Sequence, residues 1–193
     1  MPAGFQMSMQ YGMGKRSQAS GAGFEAEAVA LFARFTTPPT DLRKGHINTL
    51  TKGLKTAGSW AKADVIYVAA AADSQAATRN WKQNLYNATA INSPAFVADR
   101  GFTSNGSSSY LQTGFIASSA VAPNYVQDSA TLGAWMLTEQ AANTVFDIAA
   151  FRSGGDARLN ARTSTNVPEA SLNGLNVGGS TVASAIGFLH VIA

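Results

Sequence analysis

The chain has 193 residues and a formal net charge of +3, and only 13% of its residues are charged, about half the share usual in a folded domain. It contains no cysteine, which removes disulfides, thiolate metal sites and cysteine nucleophiles, and no apolar run long enough to span a bilayer. Lys and Arg are scattered rather than gathered into a basic stripe, so neither nucleic-acid binding nor membrane insertion is expected.

Apolar residues make up 46% of the chain, enough for a buried core. The polar surface must then come mainly from Ser, Thr, Asn, Gln and Gly. Such a surface hydrates and repels itself weakly, which suits a protein packed against neighbours.

Residues 1–23 are rich in Met, Gln, Gly and Ser and lack the apolar stretch of a secretory signal. Phe5, Met7, Met9, Tyr11 and Met13 alternate with a period of two. The segment reads either as an extended arm that pairs with a neighbouring subunit or as a flexible terminus. Residues 24–92 read as a helical segment. Phe24, Ala28, Leu31, Phe32 and Phe35 share one helical face, and Pro38-Pro39 forbid continuation. Thr40 or Asp41 then caps a second helix with Ile47, Leu50 and Leu54 on one face and Gly58 as its stop. Arg43, Lys44, Lys52 and Lys55 on it read as solvated charges, and Trp60 follows at the corner. Val65–Val68 has strand character, but the alanine run after it and the pattern up to Trp81 favour two short helices.

Residues 93–193 read as an antiparallel β-sandwich. Candidate strands are Ala95–Asp99, Ser108–Thr113, Thr131–Thr138, Thr144–Phe151, Arg158–Thr163 and Ile186–Ile192, separated by turn signals such as Asn105-Gly106 and Asn173-Gly174. In Thr131–Thr138 both faces are apolar, Leu132, Ala134 and Met136 against Trp135 and Leu137, which predicts cover on both sides.

Little in the chain announces catalysis. His46 and His190 are its two histidines; neither belongs to a His-x-x-x-His pair, and both read as structural residues. Asp147 lies alone inside a strong strand, without the second carboxylate that glycan cleavage needs. Asp99 and Asn105 offer two oxygens in one loop, too few for calcium. The glycine runs lack the following helix and Lys of a phosphate loop. No catalytic residue, metal or cofactor is expected.

The run from Phe96-Val97-Ala98-Asp99-Arg100-Gly101 through Ser107-Ser108-Ser109-Tyr110-Leu111 to Phe115 resembles the opening of concanavalin A-like, laminin-G-type modules. In those a Gly-Ser-rich turn delivers a Tyr-Leu strand, and Thr131-Leu132-Gly133-Ala134-Trp135 resembles their Trp-bearing strand. The stretch from Phe35-Thr36-Thr37-Pro38-Pro39 through Asp73-Ser74-Gln75 and Asn80-Trp81 to Asn92-Ser93-Pro94 is similar to structural proteins of tailed bacteriophages and prophages. The likeness covers roughly residues 30–190, and no single motif in it is diagnostic.

The resemblance implies an α+β chain, a helical lead-in followed by a concanavalin A-like jelly-roll sandwich. The β-half is short for eight strands. The sandwich is therefore reduced, or completed by a neighbour, or the sequence is incomplete. The resemblance further implies a non-enzymatic virion component, a fibre, head-decoration or tail-associated protein present in multiple copies. Its N-terminal region would dock on capsid or tail proteins, and trimers are the form common in such fibres. A second reading is a glycan-binding module for host adhesion, with Tyr110, Tyr125 and Trp135 as contact residues for a host surface glycan, although an aromatic of this kind is more often core than ligand platform. A glycan-cleaving enzyme ranks third.

Overall fold

A computed structural model describes residues 23–116, 124–126, 129–138, 147–152, 155–163, 165, 167–172, 175–178 and 187–192. The arm over residues 1–23 lies outside them except for Gly23.

Helix α1 (Ala26–Phe32) buries Ala28 and Leu31, as the apolar spacing requires, and stops short of the expected Phe35. Two contacts explain the early stop. The Arg34 guanidinium donates to the Asn80 and Trp81 carbonyls at 2.6 and 3.1 Å, and Gln75 donates to the Arg34 carbonyl at 3.0 Å. The chain leaves the helix through a turn, with the Arg34 and Phe35 N–H groups donating to the Leu31 and Phe32 carbonyls, before it reaches Pro38-Pro39. Helix α2 (Asp41–Thr56) begins where the Thr40 side chain accepts the Arg43 N–H at 3.4 Å, which makes Thr40 rather than Asp41 the cap. It ends before Gly58, whose φ of 73° belongs to the left-handed region that glycine enters without a Cβ clash.

Two single-turn helices follow, α3 (Ser59–Lys62) and α4 (Ser74–Ala77), the latter capped by the Asp73 carboxylate. The alanine run between them is not helical. Instead Tyr67 bridges Asn80 in antiparallel fashion, and the Trp81 N–H donates to the Ile66 carbonyl at 2.8 Å. The alanine run itself turns, with the Ala71 N–H donating to the Ala69 carbonyl and the Ala71 carbonyl accepting the Asp99 N–H, so a downstream partner overrides the local preference of alanine for helix. Leu31, Trp60 and Trp81 form the buried centre of this half, with Ile47, Leu54 and Val68 packed around it.

The strands are short and every described pairing is antiparallel. Strand β1 (Thr89–Ile91) pairs with β4 (Tyr110–Gln112), and the hairpin of β2 (Ala95–Val97) and β3 (Gly101–Thr103) lies between them in sequence. Ladder hydrogen bonds therefore cross residue 92, where the helical segment was expected to give way to strands. Strand β5 (Thr131–Met136) pairs along its whole length with β10 (Gly187–Ile192). Strands β6 (Ile148–Arg152), β7 (Gly155–Asn160), β8 (Glu169–Leu172) and β9 (Leu175–Gly178) form a four-stranded meander.

Leu132 and Ala134 of β5 pack against Leu159 of β7 and Ala170 and Leu172 of β8, which creates a second core. Leu159 and Leu172 are wholly buried. The architecture is α+β, with the helices in the first part and small antiparallel sheets after them. One expectation needs correction. The β5 face bearing Trp135 and Leu137 is not covered by the described residues, for Trp135 is 68% exposed. The meander lies against the Leu132–Ala134 face alone.

Candidate functional site

The three aromatics singled out from the sequence do not share one platform. Tyr110 sits on β4 and is 52% exposed. Tyr125 packs against the Leu159–Leu172 core on the inner side of β5, and burial pushes its hydroxyl pKa up. Trp135 points from the opposite face of the same strand. The structure thus brings Tyr125 into the core and leaves Tyr110 and Trp135 on the surface, on different sheets.

The loop carrying Asn105 is organised around that residue. Its Oδ1 accepts the backbone N–H groups of Ser107, Ser108 and Ser109 at 2.9–3.0 Å. Asp99 is engaged elsewhere: its two oxygens accept from both terminal nitrogens of Arg43 at 2.7 and 2.9 Å. The two oxygens considered for calcium are therefore already committed. Among the described residues, no three His, Asp or Glu side chains converge as a metal site. Asp147, expected inside a strand, stands one residue before β6, accepts the Ala161 N–H at 2.6 Å, and has its pKa raised by burial. It ties the start of β6 to the end of β7.

A cavity of about 190 Å³ opens beside α2. Its floor is apolar, built from Phe35, Ile47, Val68 and Trp81, with Leu50 and the Ala70–Ala72 segment on its walls. Its rim carries Thr37, His46 and the Arg43–Asp99 pair. The fold holds this rim in place through the β2–β3 turn. The Asp99 N–H donates to the Ala71 carbonyl at 2.9 Å, and Asp99 itself takes a left-handed φ of 62°. Gly101 follows at φ 100°, with the Ala69 Cβ only 3.1 Å from where its own Cβ would stand, so no other residue fits there without displacement. Arg43 favours the ionised Asp99 carboxyl and holds its pKa below the usual value.

Sequence reasoning missed this cavity. It read Arg43 as a solvated helix charge and Asp99 as a loop oxygen. The retrievable signal was the Asp99-Arg100-Gly101 turn, an Asp and a Gly at positions suited to positive φ.

No protein-family profile, curated protein sequence or solved structure matches the chain.

Proposed function

We propose that this chain is a non-enzymatic virion building block of a tailed bacteriophage, whose β-half is a reduced concanavalin A-like sandwich completed by companion chains. The observation that carries this reading is the exposed apolar face of β5. Among the described residues β5 has β10 as its sole strand partner, and its outer face presents Trp135 at 68% and Leu137 at 39% exposure. Open strand edges beside exposed apolar side chains invite association unless they are covered. The scarcity of charge over the whole chain points the same way, because charged residues are the usual guard against such contacts.

The two-layer packing of β5 on β7 and β8 supports the sandwich; covering the exposed Trp135–Leu137 face by companion chains would give multiple copies per particle, with a trimer as the form the family resemblance suggests. Docking on capsid or tail proteins is assigned to the N-terminal region. Mass spectrometry of purified phage particles that encode the chain should find it at many copies per particle. Its absence from washed particles, or a strictly monomeric chain in light scattering, overturns the proposal.

The exposure of Tyr110 and Trp135 favours one further reading, adhesion to a host surface glycan through those two aromatics. Glycan-array binding that is lost in Trp135→Ala or Tyr110→Ala supports it. Tyr125→Ala is not a suitable test, since Tyr125 belongs to the core.

A further inference from the structure

We infer that the cavity beside α2 is a binding site for a single uncharged ring bearing one hydroxyl, a phenol-like group. Size comes first. At about 190 Å³ the space is somewhat larger than a roughly 150 Å³ apolar cavity known to take one benzene ring. It is smaller than the roughly 300 Å³ at which pockets for drug-sized ligands begin. One ring fits within this volume.

The lining sets the ring's character. Phe35, Ile47, Val68 and Trp81 offer apolar surface, and the indole of Trp81 offers an aromatic neighbour for edge or offset stacking. The rim sets its charge. Arg43 and Asp99 satisfy each other through two hydrogen bonds, so neither presents a free charge to a visitor. An anionic ligand would meet the Asp99 carboxylate and would have to displace it to reach Arg43. An uncharged ligand meets no such obstacle.

The rim also supplies the polar contact. The His46 and Thr37 side chains make no hydrogen bond or ion pair among the described residues, although the Arg43 and Asp99 side chains on the same rim do. An imidazole and a hydroxyl can each donate to or accept from one ligand hydroxyl. This site is separate from the β5 margin, so its fate does not decide the assembly reading.

The experiment is a titration of the full chain with p-cresol, followed by NMR at the His46 ring and the Trp81 indole. Both should shift saturably. Toluene, which lacks the hydroxyl, and 4-methylbenzoate, which adds a charge, should each bind at least about tenfold more weakly. Ala72→Phe places a ring on the cavity wall at an exposed position that tolerates bulk, and should abolish the shifts. Asp99→Asn releases Arg43, and should raise the affinity for 4-methylbenzoate by about tenfold or more. A short neutral peptide with a central tyrosine separates the sources: tighter binding than p-cresol assigns the ring to a partner protein, weaker binding to a free small molecule. Absence of saturable shifts up to the solubility limit of p-cresol overturns the inference, as does equal affinity for toluene or 4-methylbenzoate in the unmodified chain.

Discussion

The two cores of this protein solve the same backbone problem by different means. Around Trp60 and Trp81 the chain is irregular, and side chains take the place of a ladder. The wholly buried Asn80 accepts the Ile66 and Lys82 N–H groups through Oδ1 and donates to the Leu85 carbonyl through Nδ2. The Asn87 side chain accepts the Asn80 N–H, and Arg34 caps the Asn80 and Trp81 carbonyls from the other side. Around Leu159 and Leu172 the β6–β9 meander satisfies its backbone strand to strand, and the core needs little beyond Leu and Ala. Buried backbone groups must be paired somewhere. Where no ladder forms, buried amides and guanidinium groups become structural residues, because removing one leaves several buried backbone groups unpaired.

Four substitutions test this contrast. Leu159→Ala has the largest expected effect, a loss of about 2–5 kcal/mol in chemical denaturation. The loss should fall on the β-half, with the Trp60 and Trp81 NMR signals still native; simultaneous loss of both would erase the distinction between the regions. Asn80→Ala comes next, at about 2–3 kcal/mol, because three backbone groups lose their partner in a buried setting. Its effect should appear first in Trp fluorescence. Thr51→Val should move the other way. The Thr51 hydroxyl is buried on α2 without a hydrogen-bond partner among the described residues, so an apolar isostere should add about 1 kcal/mol. A lower melting temperature in that variant would mean that the hydroxyl is satisfied after all.

The smallest effect concerns the exposed Arg43–Asp99 clasp. Arg43 lowers the Asp99 pKa below 3.8, so the pair contributes fully above that value and fades as pH falls through the lower folded-state value. The melting-temperature difference between the unmodified chain and Asp99→Asn should thus be small, flat from pH 7 to pH 5, and vanish in strong acid. A difference that grows as the solution becomes acidic contradicts the assignment.

Local signals in the sequence located what local physics decides. The Thr40 cap, the left-handed Gly58 and the strands at Thr131 and at Ile186 follow from residue type and spacing within a few positions. Strands β1, β3, β8 and β9 are not legible in the sequence, β1 because it lies inside the stretch read as helical. Gly101–Thr103 was absorbed into a glycine-rich turn, and Glu169–Leu172 and Leu175–Gly178 are four-residue stretches with weak alternation that become strands because a neighbour supplies the ladder. The extended Ile66 segment and the cavity beside it were hidden for a related reason: Asn80 and Asp99 act on residues 14 to 56 positions away. No window of sequence contains both ends of such contacts. Trp135 illustrates the reverse error, where hydrophobicity on both faces of β5 implied cover that the meander provides on one face only.

The register of β5 against β10 has a consequence for biosynthesis. Thr131 pairs with Ile192 and Met136 with Gly187, so residues 137–186 must be translated before that ladder can begin to close. At ordinary elongation speeds this is a wait of roughly 3–10 s. The helical part, and then the hairpins of the meander with their short loops, can form on the ribosome in the meantime. For those seconds β5 is a nascent strand with nothing to zip against, and a chaperone that shields residues 131–136 should raise the yield of folded protein more than one acting anywhere earlier in the chain.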